Sequence, residues 1–162
     1  MNGLDHASFE LATSILASTN ELTLATLRPD GSPHASTVSF ASDGLVIFAA
    51  IALDSRKSHE IRKDGRVSLT INAPFRNWNC IQGLSIDGVA SMIDWPRGQA
   101  AASALLLKKL PEYATMFGRS PALPWPGMVF IQVVPTVLML LDYKKRFGHI
   151  TRFEVTGLAR TE

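Results

Sequence analysis

With a single cysteine, Cys80, among 162 residues, the chain has no internal disulfide and no multi-cysteine metal site. As a residue of an expected strand, Cys80 is assigned to packing. Charge of one sign is also scarce: sixteen Lys and Arg face fourteen Asp and Glu, and the net +2 is too small to propose nucleic acid as the main partner. The four histidines, His6, His34, His59 and His149, are not paired at metal-ligand spacing, which argues against a zinc site. Long apolar runs are missing too. Residues 128–141 are apolar but include Gln132 and Pro135, and fall short of the roughly 18 residues of a membrane-crossing helix, so they read as buried strand. At the amino terminus, Asp5, His6 and Glu10 interrupt the apolar positions, and no secretory signal is expected. A cytoplasmic protein is the expectation. Neither Asp87 nor Glu60 shows a second carboxylate partner, so no acid–base pair is assigned.

What is present is apolar. Hydrophobic residues make up 46% and charged residues 19%, a surplus of burial that suits one domain over residues 1–162 with part of its surface in a subunit interface. Asp5 is placed to cap a helix over residues 7–18, followed by a strand at 21–27. The order Arg28-Pro29-Asp30-Gly31 matches a tight turn into a second strand at 33–41, and Ser42-Asp43-Gly44 reverses the chain into a third at 45–51. A helix at 55–63 is expected to stop at Asp64-Gly65, with Gly65 as a left-handed cap. Strands at 66–72 and 79–93 follow, the second able to bend at Gly83 and Gly88. Asp94 is assigned as the cap of a helix over 96–110, which Pro111 ends. Strand-like stretches at 128–134 and 137–143 flank Pro135, and a short one lies at 152–155. The pattern predicts a mainly β fold: an antiparallel barrel with peripheral helices.

The chemistry concentrates in residues 54–60, Asp-Ser-Arg-Lys-Ser-His-Glu, at the start of the second helix. The first turn of a helix carries unpaired N–H groups and partial positive charge, so it favours an anion. Arg56 can fork two phosphate oxygens, Lys57 adds a point charge and Ser55 can donate from its hydroxyl. The competing reading is a capped surface helix with solvated cations. Among the aromatics, Trp78 and Trp125 are candidates for pocket walls or for packing. His149, with Lys144, Lys145, Arg146 and Arg152, forms a basic carboxyl-terminal stretch that reads as solvated surface.

Five blocks in this order resemble the pyridoxamine 5'-phosphate oxidase-like family of flavin-binding split barrels. They are residues 31–38 (GSPHASTV), 44–48 (GLVIF), 55–57 (SRK), 64–69 (DGRVSL) and 83–90 (GLSIDGVA). The resemblance implies an antiparallel split β-barrel and a homodimer with two FMN molecules at the subunit interface. It assigns the FMN phosphate to Ser55, Arg56 and Lys57. It also implies that Ser36, Thr37 and Val38, with Ala49, Ala50 and Ile51, line the isoalloxazine through their backbone. The departures bear on the reaction. The carboxyl-terminal arginine and histidine motif that grips vitamin B6 phosphate is missing, and Ser36, Ala49 or Ala50, Gly83 and Ser85 stand where the oxidase has larger side chains. The expected function is therefore an FMN-dependent oxidoreductase acting on a small molecule other than vitamin B6. A haem-binding or haem-degrading protein with His34 or His149 as axial ligand, an F420-dependent protein, and a non-enzymatic flavin-binding module remain open alternatives.

Overall fold

A fifteen-residue strand, β7 (Met128–Asp142), runs through the middle of the sheet and pairs with a neighbour on each edge. The structure is a computed structural model and describes residues 3–117 and 120–158. Before β7 come α1 (His6–Ala17), β1 (Glu21–Leu27), β2 (Pro33–Ser39), β3 (Ala41–Asp43), β4 (Val46–Ala52), α2 (Arg56–Lys63), β5 (Arg66–Asn72) and β6 (Gln82–Met92). Two helices, α3 (Pro96–Lys109) and α4 (Glu112–Met116), separate β6 from β7, and β8 (Ile150–Glu154) follows it. All ladders are antiparallel, in the order β2-β1-β5-β6-β7-β4-β3, with β8 on the second half of the β7 edge whose first half holds β4. The sheet curls into a half-barrel of the split-barrel type, and β2 comes back close to β4.

Alternation along β4 divides the core. Residues Val46 to Ile51 are all buried, and successive side chains on a strand point to opposite faces. Ile47, Ala49 and Ile51 enter the barrel interior with Leu24, Leu69 and Ile86, which α1 closes through Ala12, Ile15 and Leu16. Val46, Phe48 and Ala50 face the other way, against Ala102 and Leu106 of α3 and against Trp125 and Phe130. Asp5 caps α1 as expected, its carboxylate accepting the Ser8 N–H at 2.8 Å.

Several expectations are corrected. The second strand stops at Ser39; beyond Phe40 a separate short strand, β3, forms a hairpin with β4, so β2 is left as an edge strand beside β1. Pro135 does not divide the last long strand. Asp87 faces Val137 and Gly88 faces Pro135, so Thr136 is the extra residue of a bulge, and its hydroxyl donates to Asp87 O at 3.1 Å. The predicted strand at 79–93 begins at Gln82, because residues Trp78–Cys80 form a 3-10 turn and Cys80 lies half-buried there rather than in the sheet. Asp94 makes no cap; Trp95 occupies that position without a side-chain bond and Pro96 opens α3. The short helix α4 was not anticipated.

Gly65 is not a left-handed cap, for its φ is not positive. It is glycine because β6 passes close: a Cβ there would meet Ala90 O at 2.5 Å, while Ala90 N–H donates to Gly65 O at 2.7 Å. Gly65→Ala is expected to destabilise the protein by about 1–3 kcal/mol, since backbone on both sides must move. Denaturant unfolding would check it, and an unchanged midpoint would refute the close-approach account.

Candidate functional site

The chain leaves β4 through a turn in which Leu53 N–H donates to Gly127 O at 2.9 Å and Ser55 N–H to Ala52 O at 3.0 Å. Ser55 is then the N-cap of α2: its backbone is extended and its Oγ accepts the Ser58 N–H at 3.3 Å. The hydroxyl hydrogen stays free to donate. No acidic residue sits in the first turn of α2, so nothing in that turn competes with an incoming anion.

Arg56 is exposed and forms no ion pair among the described residues. It lines a cleft of ≈ 730 Å³ between α2 and the β1–β2 turn, with Arg28, His59, Lys63, Asp54 and Glu60 as the other polar walls. Arg56, His59 and Lys63 lie at i, i+3 and i+7 and therefore share one helix face. Arg28 is steadied by its own turn, its Nη1 donating to Pro33 O at 2.7 Å and Ser32 Oγ at 3.3 Å. Lys57 is half-buried and does not line this cleft. The helix start thus brings Ser55 and Arg56 together, whereas the additional cations come from Arg28 and Lys63, which sequence reasoning missed. Their signal was the helical spacing from Arg56 and the turn next to it.

The two strand segments flank the open seam of the barrel. Ser36, Thr37 and Val38 pair with Leu24, Thr23 and Leu22 of β1, and β2 is an end strand, so its other backbone edge has no ladder partner among the described residues. Ala49, Ala50 and Ile51 pair with Ile131, Phe130 and Val129 of β7, while β3 covers the opposite edge of β4 only as far as Phe48. Val38, Ala49 and Ile51 are buried in the barrel interior, Ala50 lies on the α3 side and Thr37 is exposed. Ser36 is half-buried, and its Oγ is shielded from solvent with no hydrogen-bond partner. Unpaired backbone beside small side chains fits a flat aromatic ring, and an orphaned hydroxyl fits a polar ligand.

A buried carboxylate joins these parts. Glu60 of α2 has a side chain only 3% exposed, and its Oε2 accepts from Thr26 Oγ1 at 2.6 Å and lies 2.8 Å from His34 Nδ1. Thr26 and His34 are directly opposite each other on β1 and β2, so their side chains leave the sheet on the same face. Burial pushes the Glu60 carboxyl upward, but the bonds from Thr26 and His34, with the attraction of His34 and Arg28, outweigh it and hold the group below its ordinary 4.5. An ionised carboxylate only accepts, so the Nδ1 of His34 carries the proton between them. Sequence reasoning assigned Glu60 no second carboxylate partner; its partners here are Thr26 and His34. The position of Glu60 beside buried Ile61 hinted at burial; a partner 26 residues away did not show.

The tryptophans separate. Trp125 is packing, stacked on Phe117 at 4.8 Å between ring centroids and edge-on to Tyr113 and Phe130. Trp78 is 70% exposed and lies near Phe147, at 6.5 Å. His149 bonds Thr151 through Nε2 at 3.2 Å, and its Nδ1 is buried without a partner, so it is not simply solvated. Among the described residues no group of three metal-ligating side chains occurs, and no helix is long and apolar enough to cross a membrane.

Comparison with known proteins gives one family and a set of folds. The family model described as pyridoxamine 5'-phosphate oxidase matches residues 10–129. A haem-binding protein from Mycobacterium smegmatis superposes with a TM-score of 0.76 at 23% identity, over 90% of this chain and 57% of its own length. This chain therefore spans little more than half of that protein. An FAD-binding protein from Mesorhizobium loti matches with a TM-score of 0.63 at 17% identity, over 78% of this chain and 88% of its own. The haem storage protein HutZ from Vibrio cholerae matches with a TM-score of 0.62 at 17% identity, over 83% and 91%. None of the curated proteins matches the sequence.

Because the folded Glu60 carboxyl titrates below its ordinary value, it stabilises the fold above about pH 4.5 and loses that contribution as pH falls through the lowered value. Glu60→Gln is expected to be less stable at neutral pH and to show a shallower acid limb. Urea unfolding across the acid range checks this, and parallel acid limbs would contradict it.

Proposed function

Because the chain belongs to the pyridoxamine 5'-phosphate oxidase family, we propose that it is a flavoprotein holding FMN at the seam of a homodimer and acting as an oxidoreductase on a small molecule. The observation that carries this reading is the start of α2, where Ser55 caps the helix and the next residue, Arg56, without an ion pair among the described residues, lines a cleft with Arg28, His59 and Lys63. FMN, when bound, supplies two-electron transfer at its ring. The residues of the chain bind and orient it. Arg56 forks the phosphate with the free N–H groups of the first turn, Ser55 donates its hydroxyl and Lys57 adds charge from the inner side of α2. The backbone of Ser36, Thr37 and Val38 and of Ala49, Ala50 and Ile51 meets the ring edge, and the small alanine side chains let the ring approach. Vitamin B6 phosphate is not the expected substrate in this reading; residues 159–162 of the tail on which that expectation bears lie outside the described residues.

A second copy of the chain fits the exposed apolar side chains. Phe75, Trp78, Phe147 and Ile150 all stand out from the surface, and a partner subunit would cover them. A cytoplasmic location accords with the lone cysteine and is part of the same reading.

One observation favours a second reading, haem binding. His34 is backed by a carboxylate, which is how proteins fix a metal-ligating imidazole, and two of the similar folds are described as haem-binding or haem storage proteins. The absorption spectrum of the purified protein separates the readings. After addition of FMN and gel filtration, a retained flavin spectrum supports the first; a colourless protein that shows a Soret band on haem addition, lost in His34→Ala, supports the second. An F420 titration covers the deazaflavin alternative.

Arg56→Ala with Lys57→Ala is expected to abolish FMN retention while leaving the fold intact, each charge-assisted contact contributing about 1.5–3 kcal/mol. Arg56→Ala alone should account for most of the loss, because Lys57 lies off the cleft. Unchanged flavin content in the double variant would rule the cradle out. Dilution to monomer should also release FMN, and a monomer that keeps its full flavin would defeat the interface.

A further inference from the structure

We propose that a second copy of the chain seats on the outer face of the sheet, across β1, β2, β5, β6, β7 and β8, and there walls the basic cleft from the Leu27 side. The inference rests on the homodimer reading and adds to it the surface, its symmetry and its link to the cleft.

Register defines the face. Leu22, Leu24, Leu69, Ile86, Leu138 and Phe153 point into the barrel, so the residues between them along each strand point outward. Across the ladders, Thr37, Thr23, Thr70, Ser85, Met139 and Arg152 stand in one transverse row. The row on one side of it holds Ala35, Ala25, Ser68, Asp87 and Val137, and the row on the other holds Asn72, Gly83, Leu141 and Ile150. None of these side chains belongs to either apolar cluster of the chain. Two open clefts lie over them instead, one of ≈ 440 Å³ at Ala25, Ser68 and Asp87 and one of ≈ 400 Å³ at Thr70, Ser85 and Met139.

Size and charge point to the occupant. Six strands span roughly 24 Å and the three rows roughly 20 Å with their side chains, a footprint of roughly 500 Å². A stable complex needs about 800 Å² from each partner, so the face supplies most of one side. Phe75, Trp78 and Phe147 extend it, for they stand exposed in the two loops that leave the sheet at its Asn72 and Leu141 end. Those loops meet, with the Trp78 and Phe147 ring centroids 6.5 Å apart. The cations at the face are already paired within the chain, Arg66 with Asp64 and Arg152 with Glu154, and the Asp87 carboxylate accepts from Ser68 Oγ at 2.8 Å. Thr23, Thr70 and Ser85 at its centre carry no charge. In an isologous contact the same patch meets itself, so a centre of one sign would repel its own copy; this centre does not.

The link to the cleft is Leu27. It lines both the ≈ 440 Å³ cleft of this face and the basic cleft of Arg56. A copy that fills the first forms a wall at the margin of the second, so ligand binding and dimerisation reinforce each other.

The experiment is sedimentation of wild type and Thr70→Arg through a dilution series, with and without FMN. Thr70 is exposed in the single chain, so Arg is tolerated there, but in the contact it becomes an unpaired cation at the centre. Wild type is expected to dimerise, with FMN lowering its dissociation constant by about tenfold or more. Thr70→Arg is expected to stay folded, to dimerise about 100-fold more weakly and to retain less FMN. Met116→Arg, on the exposed side of α4 away from this face, should dimerise as wild type does. A Thr70→Arg protein that dimerises like wild type overturns the face and leaves the flavin reading standing. A wild type that binds FMN as a monomer at every concentration overturns the homodimer reading and this inference with it. A dimer split by Thr70→Arg but indifferent to FMN overturns the link to the cleft. Where Thr70→Arg does not fold, peroxide oxidation of wild type decides. Met139 should be protected at dimer concentrations and oxidised on dilution, while exposed Met116 is oxidised alike in both. Equal rates for Met139 overturn the face.

Discussion

The strand β7 must satisfy two edges along fifteen residues, and the rest of the molecule is arranged by how it does so. One edge pairs with β6 from Ile131 to Asp142, apart from the bulge at Thr136. The other is shared: β4 takes the first half and β8 the second. A strand laddered on both edges cannot shift its register by one residue without turning its side chains to the wrong face, so it is a fixed axis for the fold. The bulge supplies the local bend and twist. From that axis the sheet extends through β6, β5 and β1 to β2 on one side and through β4 to β3 on the other, and its curl brings the two ends near each other without a ladder between them.

The seam follows from the shortness of β3. Three residues cover the edge of β4 only as far as Phe48, and the next three, Ala49 to Ile51, have no ladder partner on that edge among the described residues. Immediately beyond them the chain turns into α2. Uncovered backbone and a helix N-terminus are thereby placed within a few residues of one another by connectivity alone. The apolar burial of β4 on both faces holds this region rigid, since Ile47, Ala49 and Ile51 are clamped inside the barrel and Phe48 and Ala50 under α3. A site whose supports belong to two cores has little freedom to drift.

The network of Thr26, His34 and Glu60 ties the other side of the site. Glu60 reaches from the helix into a position where water does not compensate it, and Thr26 and His34 receive it from opposite registers of β1 and β2. Losing any of the three leaves a buried polar group short of partners, which costs more than the bond itself contributes. The same carboxylate therefore fixes the placement of α2 against the sheet and the tautomer of His34.

Local pattern was enough for much of this. Residues 21–27 and 66–72 form strands over the predicted range, α2 starts at its serine cap, and the five spaced blocks identify the family. Period, capping and turn chemistry act between residues close in the chain, so they are written there. Ser55 and Arg56 were legible as the cap and first residue of α2 for that reason. What only the tertiary structure decided depends on residues far apart. Gly65 is needed because β6 passes over it, Pro135 is carried within one strand because a bulge absorbs it, and His34 has a buried partner because Glu60 arrives from 26 residues away. Those contacts depend on the register of strands and on the curl of the sheet. Both are set by packing of the whole chain, and no local window contains them.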